Sequence, residues 1–197
     1  ITLSSELSGS FNSACLAARD SVEKNKEKKI MVFDSKSASC GQTLLAMKIK
    51  ELKNAGFSYE QVKEKVTKYR DEIKTKFVLE SIDNLRKNGR LSNITAVLCD
   101  VLNIKPVMAS TEEGKIQKLG QARGMKSALA KMIASIKEDA FDVKNRIIAI
   151  SHCNNRERAE IVKKWIQEEI PFKDIIILEQ GGISTLYANQ GGIIVAY

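Results

Sequence analysis

The feature that most constrains this chain is an alternation of two periodicities. Short runs of β-branched and aliphatic residues stand at Lys76 to Glu80, Arg146 to Ser151, Lys173 to Glu179 and Gly192 to Tyr197, and these read as strands. Between them lie longer segments whose apolar residues recur every three or four positions. Gly124 to Lys137 places Met125, Leu129, Met132 and Ile136 on one helical face, with the methionines as core filler. Asn155 to Ile170 does the same with Ala159, Val162 and Ile166, and Pro171 stops it. Strands and helices in alternation define an α/β protein. Lys105 to Ala109 and Lys115 to Leu119 flank Glu112-Glu113-Gly114 and read as a hairpin, so this part of the sheet is mixed rather than purely parallel.

The first third follows the same logic. Ser10 to about Glu23 reads as a helix with Phe11, Ala14, Ala18 and Val22 on one face. Lys29 to Phe33 is expected as a short strand, followed by the polar loop Asp34 to Ser39 and a helix that buries Leu45, Ile49 and Leu52. Asn54-Ala55-Gly56 ends that helix, and Ser58 with Gln61 forms a capping-box pattern opening the next, striped by Val62, Val66, Tyr69 and Ile73. Further on, Ile82 to Lys87 makes a short amphipathic turn and Ile94 to Leu102 an apolar helix, while Gly181 to Gln190 reads as a glycine-bearing loop. The boundary between two units is expected near Lys74 to Lys76, giving residues 1–75 and 76–197.

Composition removes several function classes. Two prolines and eleven glycines in 197 residues favour regular elements over disorder. Cys15, Cys40, Cys99 and Cys153 are isolated, with one histidine beside them, so they read as free buried thiols and neither a metal site nor a disulfide framework is expected. The formal charge of +8 is spread over lysines interleaved with glutamates on helix faces, and aromatics are few, so no nucleic-acid partner is expected. No apolar stretch has the length to cross a bilayer and no secretory signal is visible, so a cytoplasmic location without stable membrane insertion is expected. The opening Ile1-Thr2-Leu3 and the strand-like ending suggest a chain lacking its N-terminal part.

Candidate chemistry lies in loops. Ser4-Ser5-Glu6-Leu7-Ser8-Gly9-Ser10 gathers hydroxyls and backbone amides at a helix start, where an anion is favoured, although Ser8 or Ser10 would serve equally as a plain N-cap. Arg90, in Gly89-Arg90-Leu91-Ser92, suits bidentate anion recognition or a surface ion pair. Ser37, in Asp34-Ser35-Lys36-Ser37, sits on a strand-to-helix loop of the kind that lines an α/β site. Within the last glycine-rich stretch, Ser184, Thr185 or Tyr187 could face a ligand. His152 and Cys153, adjacent at a strand end, point to opposite faces and make poor partners, so no catalytic residue is assigned; Asn154 or Asn155 instead caps the following helix.

In this order these loops resemble the DegV family of bacterial fatty-acid-binding proteins. The likeness runs through Leu3 to Ala14, Asp34 to Ala38, Leu85 to Ser92, Leu102-Asn103-Ile104-Lys105-Pro106, Gly114-Lys115-Ile116 and the glycine-rich ending. It implies a two-domain fold, with a parallel α/β first domain, here incomplete, and a mixed-sheet α/β second domain. One long-chain fatty acid would be held with its tail buried and its carboxylate at the cleft, and no cofactor would be needed. The family serine that holds the carboxylate falls at Ser8, with Ser5 as second choice and Gly9 beside it, and a family threonine from an upstream Thr-Ser-Gln-Pro stretch has no counterpart here. Arg90 matches the arginine tied to the acyl-phosphate head group. Members of the fatty acid kinase system present the carboxylate to a separate ATP-dependent kinase subunit for phospholipid synthesis, which makes such a subunit the partner the resemblance implies. The ending departs from the family, because Tyr187 stands where a histidine is usual, and a neutral phenol supplies no imidazolium charge. An enzyme acting on a small anionic substrate, or a regulatory protein with a basic face, remains the alternative.

Overall fold

The computed structural model describes residues 1–91 and 103–197. The helix expected at Ile94 to Leu102, together with Ser92 and Cys99, lies outside the described residues. The first third holds three helices, α1 (Ser10–Lys24), α2 (Cys40–Asn54) and α3 (Tyr59–Glu72). A six-stranded mixed sheet follows, built from β1 (Thr75–Val78), β2 (Ile104–Ser110), β3 (Ile116–Arg123), β4 (Ile147–His152), β5 (Asp174–Glu179) and β6 (Ile193–Ala196). Its order is β3-β2-β1-β6-β4-β5, and only β4 and β5 run parallel. Helices α4 (Asp83–Lys87), α5 (Met125–Asp139), α6 (Arg156–Glu169) and α7 (Gly182–Ala188) are the other α-helices among the described residues.

The sheet forms because its strands present apolar residues on both faces. In β4, Ile148 and Ile150 point to one side and Ala149 to the other, and all three are fully buried. The first side packs on α5 and α6 through Ala128, Met132, Ile136, Val162 and Ile166, so the methionine stripe is core. Burial of the four larger of these side chains contributes roughly 2 kcal/mol each. Edge strand β3 alternates half-buried and exposed positions, as a one-faced strand should. The opposite side of the sheet carries α2, whose Cys40 and Leu44 pack on Ala149 and Ala196.

Caps set the helix ends. The Ser58–Gln61 box is present in both directions, Gln61 N–H to Ser58 Oγ and Ser58 N–H to Gln61 Oε1. Asn155 Oδ1 accepts from Arg158 N–H and starts α6. Gly56, at φ +80, closes α2 in the left-handed conformation that glycine adopts freely.

Three expectations change. Lys29 to Phe33 joins no ladder: Thr2 N–H donates to Phe33 O and a single parallel bridge links Thr2 to Asp34, while Phe33 is buried in a cluster with Leu45, Leu52, Val62 and Val66 of α2 and α3. The apolar face of α1 is correctly placed, yet no residue of that helix is fully buried among the described residues. Residues Gly181 to Gln190 are not a loop throughout, since Gly182–Ala188 is helical. That helix is held from outside: Asn84 Nδ2 of α4 donates to Leu186 O at 2.6 Å, and Ala188 is buried in the cluster with Leu85 and Leu79. Tertiary contacts override the weak local preference of a Gly-Gly-Ile-Ser-Thr sequence.

Candidate functional site

On the α2 side of the sheet the layers do not close, and a cavity of about 590 Å³ remains. Its floor is made by residues that the strand register places on one face of the sheet, Phe77 of β1 with Leu79 just beyond it, Ile194 of β6, Ser151 of β4 and Leu178 of β5. Leu3, Leu7 and Ser8 form one wall, the loop from Lys36 to Cys40 another, and Leu85, Arg90, Ile183 and Tyr187 a third. This size and mixture, an apolar trough with a few convergent polar groups, suit a ligand that is mostly hydrocarbon.

The serine-rich loop is shaped by a residue that sequence reasoning passed over. Ser4 is fully buried. Its Oγ donates to Gly114 O at 2.8 Å across 110 residues, its N–H donates to Ser37 O, and its carbonyl accepts from Leu7 and Ser8 N–H. A Cβ at Gly114 would lie 2.4 Å from Ser4 Oγ and 2.8 Å from Lys36 Cα, and its φ is +91, so only glycine lets the hairpin meet both loops. The signal available in the sequence was that hairpin glycine. Asp34 ties the same loops together, accepting from Ser5 Oγ at 2.5 Å, Ser5 N–H at 3.1 Å and Lys36 N–H at 2.9 Å.

The structure brings Ser8, Ser37, Arg90 and Tyr187 to the cavity wall and leaves Ser5 and Gly9 off it. Ser5 is engaged with Asp34. Gly9 is the N-cap of α1 at φ −66, with open space around an added Cβ, so the fold does not require glycine there. Neither Ser8 nor Ser10 caps α1 by its side chain; Ser8 Oγ instead accepts from Ser10 N–H at 3.2 Å. Ser37 Oγ is 2.7 Å from Thr75 Oγ1, a buried pair that fixes the start of α2 to the start of β1. Arg90 donates from Nε to Leu7 O at 3.0 Å and from Nη1 to Asn88 O at 2.5 Å. Beside it opens a polar recess of about 220 Å³ that also takes in Glu6, Gly89 and Lys115. Arg90 and Lys115 thus place two cations at this mouth, with Glu6 3.6 Å from Lys115 Nζ. Such a pair favours an anion there.

The histidine and the described cysteines are structural or inert. His152 Nδ1 accepts from Asn155 N–H at 3.3 Å. Burial pushes the Cys40 thiol up to about 11, which keeps it protonated and unreactive at neutral pH. Among the described residues Cys15, Cys40 and Cys153 are free thiols, and no group of three or more His, Cys, Asp or Glu could hold a metal. No described helix is long and apolar enough to cross a membrane.

A mixed α/β sheet with an apolar trough, a hydroxyl-rich loop and an arginine at its mouth defines a binding protein for an amphiphilic anion. The chain belongs to the DegV family, COG1307, whose model matches residues 1–197. It is 48% identical to a DegV family protein from Ruminococcus gnavus refined with vaccenic acid, covering 100% of this chain and 70% of that one with a TM-score of 0.96. The Streptococcus pneumoniae Fatty Acid Kinase (Fak) B3 protein loaded with linoleic acid is 35% identical, with a TM-score of 0.90 over 100% of this chain and 69% of that one. A Eubacterium eligens DegV family protein loaded with heptadecanoic acid is 26% identical, with a TM-score of 0.91 over 99% and 70%.

Proposed function

We propose that this protein is a carrier of one long-chain fatty acid and runs no chemistry of its own. The single observation that carries the reading is the cavity of about 590 Å³ with an apolar floor and with Ser8 and Arg90 on its wall. The tail lies over Phe77, Leu79 and Ile194, where each buried CH₂ contributes about 0.8 kcal/mol. The carboxylate faces Ser8 and the Arg90 side of the mouth, and these groups orient it while the tail supplies most of the affinity. The linoleic, vaccenic and heptadecanoic acids of the related structures support a chain of this class.

The same reading divides the chain into residues 1–75, part of a first α/β domain that carries the head-group loop, and residues 76–197, a second domain built on the mixed sheet. It makes a separate fatty acid kinase subunit the partner, with the carboxylate presented at the recess formed by Arg90 and Lys115. Tyr187, on the cavity wall where the family has a histidine, supplies no imidazolium, so the binding role is less affected than service to a kinase. Titration of delipidated protein with palmitate, oleate and a short-chain acid tests the carrier role. Saturable one-to-one binding of the long acids, with the short acid much weaker, is the expected result; equal binding of all three, or none, would overturn it.

A further inference from the structure

Ser39 occupies the N-cap of α2, a position where serine ordinarily bonds a first-turn amide, yet its side chain caps nothing. Its backbone stands at φ 53 and ψ −121, a conformation that residues with a side chain rarely adopt and that persists only where the surroundings impose it. The surroundings do so here. Position 41 admits only glycine, because an added Cβ would lie 2.0 Å from Ser37 Oγ, and Ser37 is itself fixed to Thr75. The strained turn directs the Ser39 hydroxyl away from the helix and onto the sheet, 2.9 Å from Ser151 Oγ.

From there a chain of polar side chains runs along the cavity. Gln180 Nε2 donates to Ser151 Oγ at 3.2 Å, and Ser184 Oγ donates to Gln180 Oε1 at 3.1 Å. All four residues line the cavity, although Ser151 is 1% and Gln180 8% exposed. They sit beside β4 and β5, whereas the Ser8 and Arg90 groups sit by the β2–β3 hairpin. Three strand spacings, about 14 Å, separate β2 from β4, and on the carrier reading, with the carboxylate at Ser8 and Arg90, the tail runs towards these groups.

The chain is incompletely satisfied. A hydroxyl offers one donor and two acceptors and an amide nitrogen two donors, but Ser39 Oγ meets only Ser151 and Gln180 Nε2 only Ser151 among the described residues. A plain alkyl tail laid across them would leave that capacity dry, at a cost in affinity. A hydroxyl on the tail can accept from Gln180 Nε2 and donate to Ser39 Oγ.

We infer that Ser39, Ser151, Gln180 and Ser184 form an internal subsite for the hydroxyl of a mid-chain hydroxylated fatty acid, a conclusion that rests on the carrier reading above. The test is calorimetric titration of delipidated protein with stearate, 10-hydroxystearate and 12-hydroxystearate. One of the hydroxy acids is expected to bind about fivefold or more tighter than stearate. Ser151→Ala, and Gln180→Met as a second variant, bring the ratio of hydroxy-acid to stearate affinity down to about one. Stearate binding as well as or better than both hydroxy acids overturns the subsite and leaves the carrier intact; a preference that survives both variants overturns it as well. A protein that takes none of the three acids loses the carrier reading and the subsite with it.

Discussion

Arg90 Nε lies 3.0 Å from the carbonyl oxygen of Leu7 and donates to it across 83 residues of sequence. The bond joins the loop after α4 to the serine-rich loop, so the guanidinium both presents charge and positions Ser8. Arg90→Ala is therefore expected to weaken long-chain carboxylate binding about tenfold or more, charge-assisted bonds being the strong ones. Arg90→Lys should fall between, since an ammonium keeps the charge but cannot reproduce the fork that reaches Leu7. Titration of both variants with oleate checks this, and equal affinity for wild type and Arg90→Ala would remove Arg90 from the site.

Ser8 and Ser5 are separable. Ser8 lines the cavity, whereas Ser5 is held by Asp34. Ser8→Ala should lower oleate affinity roughly fivefold and shift the carboxylate in a crystal of the complex, at a stability cost of about 1 kcal/mol or less. Ser5→Ala should leave affinity near wild type. The reverse pattern would move the carboxylate contact to Ser5.

Gly114→Ala places a Cβ into Ser4 Oγ and the Lys36 backbone at a φ of +91. The expected loss is about 2 kcal/mol, from strain and overpacking together. Urea denaturation measures it. A midpoint unchanged from wild type would show that the junction of hairpin and serine-rich loop does not constrain the fold.

Glu80 clamps the sheet to α6, bonding Lys105 and Arg158 at 2.9 Å each. Burial works to raise its carboxyl, but the two cations outweigh burial and hold it below the usual value of 4.5. A lowered folded-state value means that the contribution to stability is present above pH 4.5 and is lost as pH falls through the folded value. Glu80→Gln should lose about 1 kcal/mol at pH 7, a figure already reduced for partial exposure, and should show a flatter decline between pH 5 and pH 3. Parallel stability curves for the two proteins would contradict this.

The elements with strong local signals were legible in the sequence. β4 and β6 are continuous apolar runs, α3 carries its box at Ser58 and Gln61, α6 its cap at Asn155, and the hairpin its Gly114. What the sequence did not reveal depends on contacts made far along the chain. Helix α7 is set by Asn84 and by burial of Ala188, not by its own glycine-rich residues. Lys29 to Phe33 has strand composition, but its Met31 and Phe33 pack with α2 and α3 rather than in the sheet. Of the candidate site residues, Ser8, Ser37, Arg90 and Tyr187 line the cavity, while Ser4 and Ser39 were missed because a serine in a polar loop has no local mark separating an anchor from a cap.

The central claim is that the cavity holds an acyl chain, and native mass spectrometry of the purified protein tests it most directly. The expected result is an excess mass that is lost on denaturation and identified as one stoichiometric long-chain fatty acid. A protein that is empty as purified and still takes up no added oleate or hydroxystearate would contradict it.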